Sequence, residues 1–126
     1  MTATILLAYC LYSLPDGKLH IFVLDVGQGD SILLNLPTGE HILVDGGPDE
    51  KVLSELPKHM PFYEHTIDAM ILTHPHADHM NGLIEVLKRY TVKQVLLTGV
   101  SYSNPAYKIF LEEIAEQLKH SDLGRR

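Results

Sequence analysis

The sequence predicts an α/β fold, close to the α+β boundary, with a mixed sheet, an N-terminal antiparallel meander and flanking helices. Three observations carry that prediction. Residues 18–45 hold three short runs rich in β-branched and aliphatic side chains, separated by Gly and Pro turn signals. After Pro48 the apolar spacing lengthens to that of a helix. From Ile67 onward strand-like runs alternate with helical ones, the pattern of parallel strands joined by crossovers.

The elements follow in order. Thr2–Leu14 is apolar and uncharged. It is well short of the ~20 residues that span a bilayer, and no Lys or Arg precedes it as in a signal peptide. It reads as a buried strand or short helix, or as the end of a transmembrane helix that starts outside this sequence; residues 1–14 are set apart from a domain at 15–126 on that basis. Pro15-Asp16-Gly17 turns the chain. Lys18–Val26, Ser31–Leu36 and His41–Asp45 are the meander strands, broken by GQGD (Gly27–Asp30) and by Pro37-Thr38-Gly39. Pro48–His59 places Val52, Leu53 and Leu56 on one helical face, with Asp49 and Glu50 at the favourable N-terminal end. Ile67–Thr73 is apolar enough for a strand buried on both faces. His79–Tyr90 is a helix with Leu83, Val86 and Leu87 inward, and Val92–Thr98 is the next strand. Asn104 caps a helix over Asn104–Lys119, with Pro105 at its first position and Ile109, Phe110, Ile114 and Leu118 as its apolar residues. The polar end, His120–Arg126, is expected to fray.

Composition narrows the function. The chain has 126 residues, 45% of them hydrophobic, which fits one domain with a packed core. Sixteen acidic and ten basic side chains give a net charge of −6, which argues against a broad polyanion-binding surface. A local basic patch or a bound metal could still handle a phosphate ester. A lone cysteine, Cys10, excludes an internal disulfide and a Cys-rich zinc module.

The chemistry concentrates in LTHPHADHMNG, Leu72–Gly82. His74, His76, Asp78 and His79 have the spacing H-x-H-x-D-H between a strand and a helix. That is the sheet edge where α/β folds place ligands. Residues two apart in extended chain point the same way, so His74 and His76 can share one ion. Pro75 stiffens the backbone between them. Asp78 and His79, where the chain turns into the helix, can hold a second ion. Imidazole and carboxylate together suit zinc, manganese or iron.

The run THPHADH (Thr73–His79) resembles the metal motif of the metallo-β-lactamase-fold hydrolases. LVDGG (Leu43–Gly47) is similar to their earlier strand-end Asp-Gly motif. LDVGQGDSILL (Leu24–Leu34) resembles the opening of one branch, the C-terminal domain of ComEC-type DNA internalisation competence proteins. The resemblance covers roughly Leu14 to Leu118. It implies two divalent ions, zinc foremost, with His74 and His76 on the first and Asp78 and His79 on the second. Asp78 would also orient the hydrolytic hydroxide. Asp45 would stand behind the histidine loop and fix a ring by hydrogen bonding, with Gly46 and Gly47 allowing close backbone approach. Gln28 and Asp30 would sit on a loop near the mouth. The implied fold is an αββα sandwich of two similar halves, both supplying ligands, and this sequence matches the first half. A later histidine, a bridging aspartate and a last histidine belong to the second; His120 follows a helical run and reads as a solvated helix end. The implied activity is metal-dependent hydrolysis of phosphodiesters such as DNA, with a second half-domain or a membrane channel as partner. A non-catalytic remnant or interaction module of a membrane DNA-uptake protein is the alternative.

Overall fold

The computed structural model describes residues 2–99 and 101–123. The meander forms where the turn signals place it: β1 (His20–Val23), β2 (Ile32–Asn35) and β3 (His41–Val44) pair antiparallel in sequence order. Gly39, in the β2–β3 turn, takes a φ of +101° that a side chain would resist. β1 is shorter than the predicted Lys18–Val26 because the chain already turns at Leu24, whose carbonyl accepts the Val26 N–H at 3.0 Å.

β3 then pairs parallel with β5 (Ala69–Ile71), and β5 parallel with β7 (Val95–Leu96), giving the sheet order β1-β2-β3-β5-β7. β4 (Thr66–Ile67) and β6 (Thr91–Val92) form a separate parallel pair. The predicted strands Ile67–Thr73 and Val92–Thr98 are therefore each interrupted, at Asp68 and at Lys93-Gln94. The two breaks lie side by side, and the backbone stays bonded across them, Lys93 N–H to Ile67 O at 3.0 Å and Met70 N–H to Gln94 O at 2.8 Å. The Asp68 carboxylate accepts the His41 N–H at 2.8 Å and pairs with Lys93 Nζ at 3.2 Å, drawing a partner from each neighbouring strand.

One face of the sheet is covered. Leu33, Leu43 and Met70 are fully buried and pack with Val52, Leu56, Met80, Leu83, Val86, Leu87 and Phe110 from the helices. These come from α2 (Val52–Glu55, continued by a 3₁₀ turn Leu56–Lys58), α3 (Ala77–Arg89) and α4 (Pro105–Leu123). The other face is not buried: Ile42, Val44, Ala69 and Ile71 are half-buried, and Ile21, Val23 and Leu96 are exposed. The expectation of a strand buried on both faces thus holds for one face only.

The predicted helix over Pro48–His59 is reduced to a short stretch. Asp49 Oδ1 accepts the Lys51 N–H at 2.8 Å and Glu50 O accepts the Leu53 N–H at 2.9 Å, holding the start as turns. Pro57 then lacks the N–H that an α-helix would use. α4 instead runs on to Leu123 rather than stopping at Lys119, so His120 is helical and exposed rather than frayed. Gly124–Arg126 lie outside the described residues. At its other end Asn104 Oδ1 accepts the Ala106 N–H at 2.8 Å, the expected cap. Gln117 ties α4 to α3: its Nε2 donates to Leu87 O at 2.7 Å and Tyr90 O at 2.6 Å, and its Oε1 accepts the Val92 N–H at 3.2 Å.

The apolar N-terminal segment is a helix, α1 (Ala3–Tyr12), but none of its residues is buried, contrary to the buried element expected. It touches the domain through Tyr9, whose hydroxyl accepts the Phe62 N–H at 3.2 Å. Among the described residues no helix is long and apolar enough to cross a membrane.

Candidate metal centre

The site is built around the end of β3. Asp45 has a φ of +58°, the one positive φ among the described non-glycine residues. Aspartate tolerates this region because its short polar side chain bonds locally. The residual strain, of order 1 kcal/mol, is offset by a full set of partners. The Asp45 N–H donates to Ile71 O at 2.9 Å, and its carbonyl accepts the buried Ser31 hydroxyl at 2.9 Å. Its carboxylate Oδ1 accepts the Thr73 N–H at 2.9 Å. Oδ2 accepts Thr73 Oγ1 at 2.6 Å and His79 Nδ1 at 2.8 Å.

Glycines bring the helix close enough for this. The Gly46 N–H donates to His79 O at 2.7 Å and the Gly82 N–H to Gly47 O at 3.0 Å. A Cβ on Gly46 would run into the Leu83 N–H, and one on Gly82 into Gly46 O. The first turns of α3 therefore pack backbone to backbone against the Asp45-Gly46-Gly47 corner, which holds the His79 ring in place. The GQGD loop closes the other side. Asp30 O accepts the Gly47 N–H at 3.0 Å, and a Cβ on Gly29 would run into Asp78. Gln28 and Asp30, on either side of Gly29, are exposed on that loop.

His76 occupies the N-cap position of α3 in an extended conformation, and its side chain makes no capping bond. Asp78 lies in the first turn, where the helix dipole favours a carboxylate. The three imidazoles converge: the His74 and His79 ring centroids are 3.8 Å apart, and those of His74 and His76 are 4.8 Å apart. His79 Nε2 faces Asp78 Oδ2 at 3.6 Å. That is too long for a hydrogen bond. It matches the separation of about 3.4 Å between two tetrahedral ligands on a zinc ion, given metal–ligand bonds near 2.1 Å.

The tightest group of ligand-type atoms, all within 4.8 Å of one another, comes from Asp45, His74 and His79. The sequence pairs His74 with His76 and Asp78 with His79; in the structure His74 lies against both His76 and His79, and Asp78 faces His79, with His76 exposed at the rim and Asp78 half-exposed. Asp45 lies behind the His79 ring, on Nδ1, leaving Nε2 on the side of Asp78. With the His74 and His79 imidazoles together and the Asp78 carboxylate facing His79 Nε2, the donor set fits a divalent ion of the zinc type.

Four residues of this arrangement were not singled out from the sequence: Thr73, Ser31, Gly29 and Gly82. Thr73 stands directly before His74, but its hydroxyl bonds Asp45, 28 positions earlier, which nothing local announces. Ser31 bonds a residue 14 positions away, and the two glycines act through close approach of distant segments, so neither has a local signature.

Residues 24–103 match the family model of the metallo-beta-lactamase superfamily, a span that contains Asp45, the histidine loop and α3. No curated protein matches the chain.

Proposed function

Because the chain belongs to the metallo-beta-lactamase superfamily, we propose that it carries the metal-binding part of a hydrolase acting on phosphodiesters, DNA foremost, in a ComEC-like competence setting. The kind of chemistry, metal-dependent hydrolysis, is that of the superfamily. The substrate class is supported by the likeness of LDVGQGDS, LVDGG and THPHADH to that branch. The observation that carries the reading is the His79 ring clamped on Nδ1 by buried Asp45 while Nε2 faces Asp78 at 3.6 Å.

His74, His76, Asp78 and His79 would hold the ions, with zinc the first choice and manganese or iron as alternatives, and further ligands would come from a second half-domain or a partner. A divalent ion there supplies Lewis acidity, making water nucleophilic near neutral pH and neutralising charge that builds on the scissile group. Asp45 orients His79. Asp78, half-exposed beside His79 Nε2, would also orient the hydrolytic hydroxide. The backbone contacts at Gly46 and Gly82 keep this geometry rigid before substrate arrives.

The test is zinc and manganese titration by calorimetry beside a His74→Ala/His76→Ala control, followed by hydrolysis of bis(p-nitrophenyl) phosphate and single-stranded DNA. Metal binding lost in the control, and hydrolysis lost in His76→Ala with the fold intact, are the expected results. Hydrolysis that survives His76→Ala would sink the site assignment. A second reading, a non-catalytic interaction module, is favoured by the exposed apolar sheet face; metal-independent partner binding by a folded chain that takes up no metal would select it.

A further inference from the structure

The geometry points to Thr73 as a positioning residue: its hydroxyl fixes the His74 imidazole as the Nδ1–H tautomer and so presents Nε2 as the lone-pair nitrogen. The inference deepens the reading of His74 as a metal ligand and rests on it for its purpose, though not for its hydrogen bonds.

Thr73 Oγ1 lies 2.6 Å from Asp45 Oδ2 and 2.9 Å from His74 Nδ1. A hydroxyl has one hydrogen to give and two lone pairs to accept with. A carboxylate accepts only, so the hydrogen goes to Asp45. Oγ1 must then accept from His74, which places the imidazole proton on Nδ1. A neutral imidazole carries one N–H, so Nε2 keeps its lone pair. The same carboxylate oxygen takes His79 Nδ1 at 2.8 Å. Asp45 therefore sets both tautomers, that of His79 directly and that of His74 through Thr73. A His74 with no acceptor at Nδ1 would be free to carry its proton on Nε2, blocking the nitrogen an ion needs.

The backbone makes the hydroxyl's role separable. The Thr73 N–H is held by Asp45 Oδ1 at 2.9 Å whatever the side chain does. Thr73→Val keeps that anchor and the shape of the side chain but removes the hydroxyl. Thr73→Ser keeps the hydroxyl.

The experiment is long-range ¹H–¹⁵N correlation of the imidazoles in the metal-free chain, above the range in which histidine titrates, followed by zinc calorimetry. In the wild type both His74 and His79 are expected as Nδ1–H. In Thr73→Val, His74 moves toward Nε2–H while His79, still on Asp45, is unchanged and reports an intact site. Thr73→Ser restores the wild-type pattern. Zinc affinity falls about 10- to 100-fold in the valine variant, the scale of a lost outer partner. If valine disrupts folding, Thr73→Ala gives the same readout. A His74 that stays Nδ1–H without the hydroxyl, beside an unchanged His79, overturns the assignment. A wild type with both rings Nδ1–H that binds no zinc upholds the assignment and defeats the proposed function instead.

Discussion

Asp45 concentrates more of the site's stability than any histidine around it. It is 3% exposed and receives hydrogen bonds from Thr73 and His79 while sitting at a φ of +58°. Asp45→Ala leaves three donors without their acceptor and forces a Cβ-bearing residue with no local bond into the left-handed region. A loss of about 3 kcal/mol is expected, since bonds to a charged group contribute roughly 1.5–3 kcal/mol each and neighbours compensate in part. Asp45→Asn keeps the backbone preference and one acceptor, so it should cost about 1–2 kcal/mol less. Urea midpoints at constant slope measure both; equal losses would mean that neither the backbone preference nor the remaining acceptor contributes. His41 is another buried group whose chemistry can be read. Its Nδ1 lies 2.7 Å from Asn35 Oδ1, and burial pushes its pKa below the ordinary 6.5, against the pull of Glu64, Asp68 and Glu40. The unfolded chain thus binds this proton more readily than the native one. The stability is fully present above the unfolded value and is lost as pH falls through 6.5 toward the lower folded value. Thermal unfolding from pH 7.5 down to pH 5.5, both about one unit from that value, should show a drop that His41→Gln reduces. At this scale the sequence made the ligand-type residues legible, because H-x-H-x-D-H is a local pattern. Thr73 stayed hidden because its hydroxyl acquires a purpose only when Asp45, 28 positions earlier, arrives beside it.

Between elements, the decisive contacts are few and polar. Gln117 bonds two carbonyls at the end of α3, where a helix terminus leaves carbonyls without intrahelical partners, and one amide in β6. Removing that side chain strands all three at a partly buried junction. Gln117→Ala is expected to cost about 2 kcal/mol and to speed amide exchange at Val92 more than at Leu43. Uniform exchange at both positions would mean α4 is held by Phe110 and its apolar neighbours alone. The sequence made α3 legible because its apolar face is regular and buried as spaced: Leu83, Val86 and Leu87 are all in the core. The meander was legible because its turns are local chemistry. The breaks at Asp68 and Lys93 were not, since the contacts that accompany them join segments 25 or more residues apart. The first turn of the 48–59 region misled because acidic residues that favour a helix N-terminus also form the side-chain turn that Asp49 makes with Lys51.

The described residues form a mixed sheet whose core-forming helices α2, α3 and α4 cover one side, as a half-sandwich reading of the sequence implies. The strand register puts Ile21, Leu34, Ile42 and Ala69 in one cross-strand row, and Val23, Ile32, Val44, Ile71 and Leu96 in the next. Both rows lie on the face away from the helices and contain no charge. The result is an unbroken apolar surface about 20 Å across, from the spacing of adjacent strands near 4.8 Å. Monomers seldom leave so large a patch to water. Exposed apolar side chains on α1, including Ile5, Leu7 and Leu11, add a second such surface. The chain by itself is therefore expected to associate as concentration rises. Val23, 79% exposed on edge strand β1, offers a clean probe, because lysine on a strand edge is how natural sheets resist pairing. Ile21→Lys with Val23→Lys should lower the sedimentation coefficient at high concentration while leaving the unfolding midpoint within about 0.5 kcal/mol of wild type, as expected for exposed positions. Association that persists unchanged in the double variant would move the adhesive surface to α1. A wild type that sediments as a monomer throughout would mean that two rows of half-buried aliphatic side chains, flanked by the polar ends of the strands, are already shielded enough to stay in water.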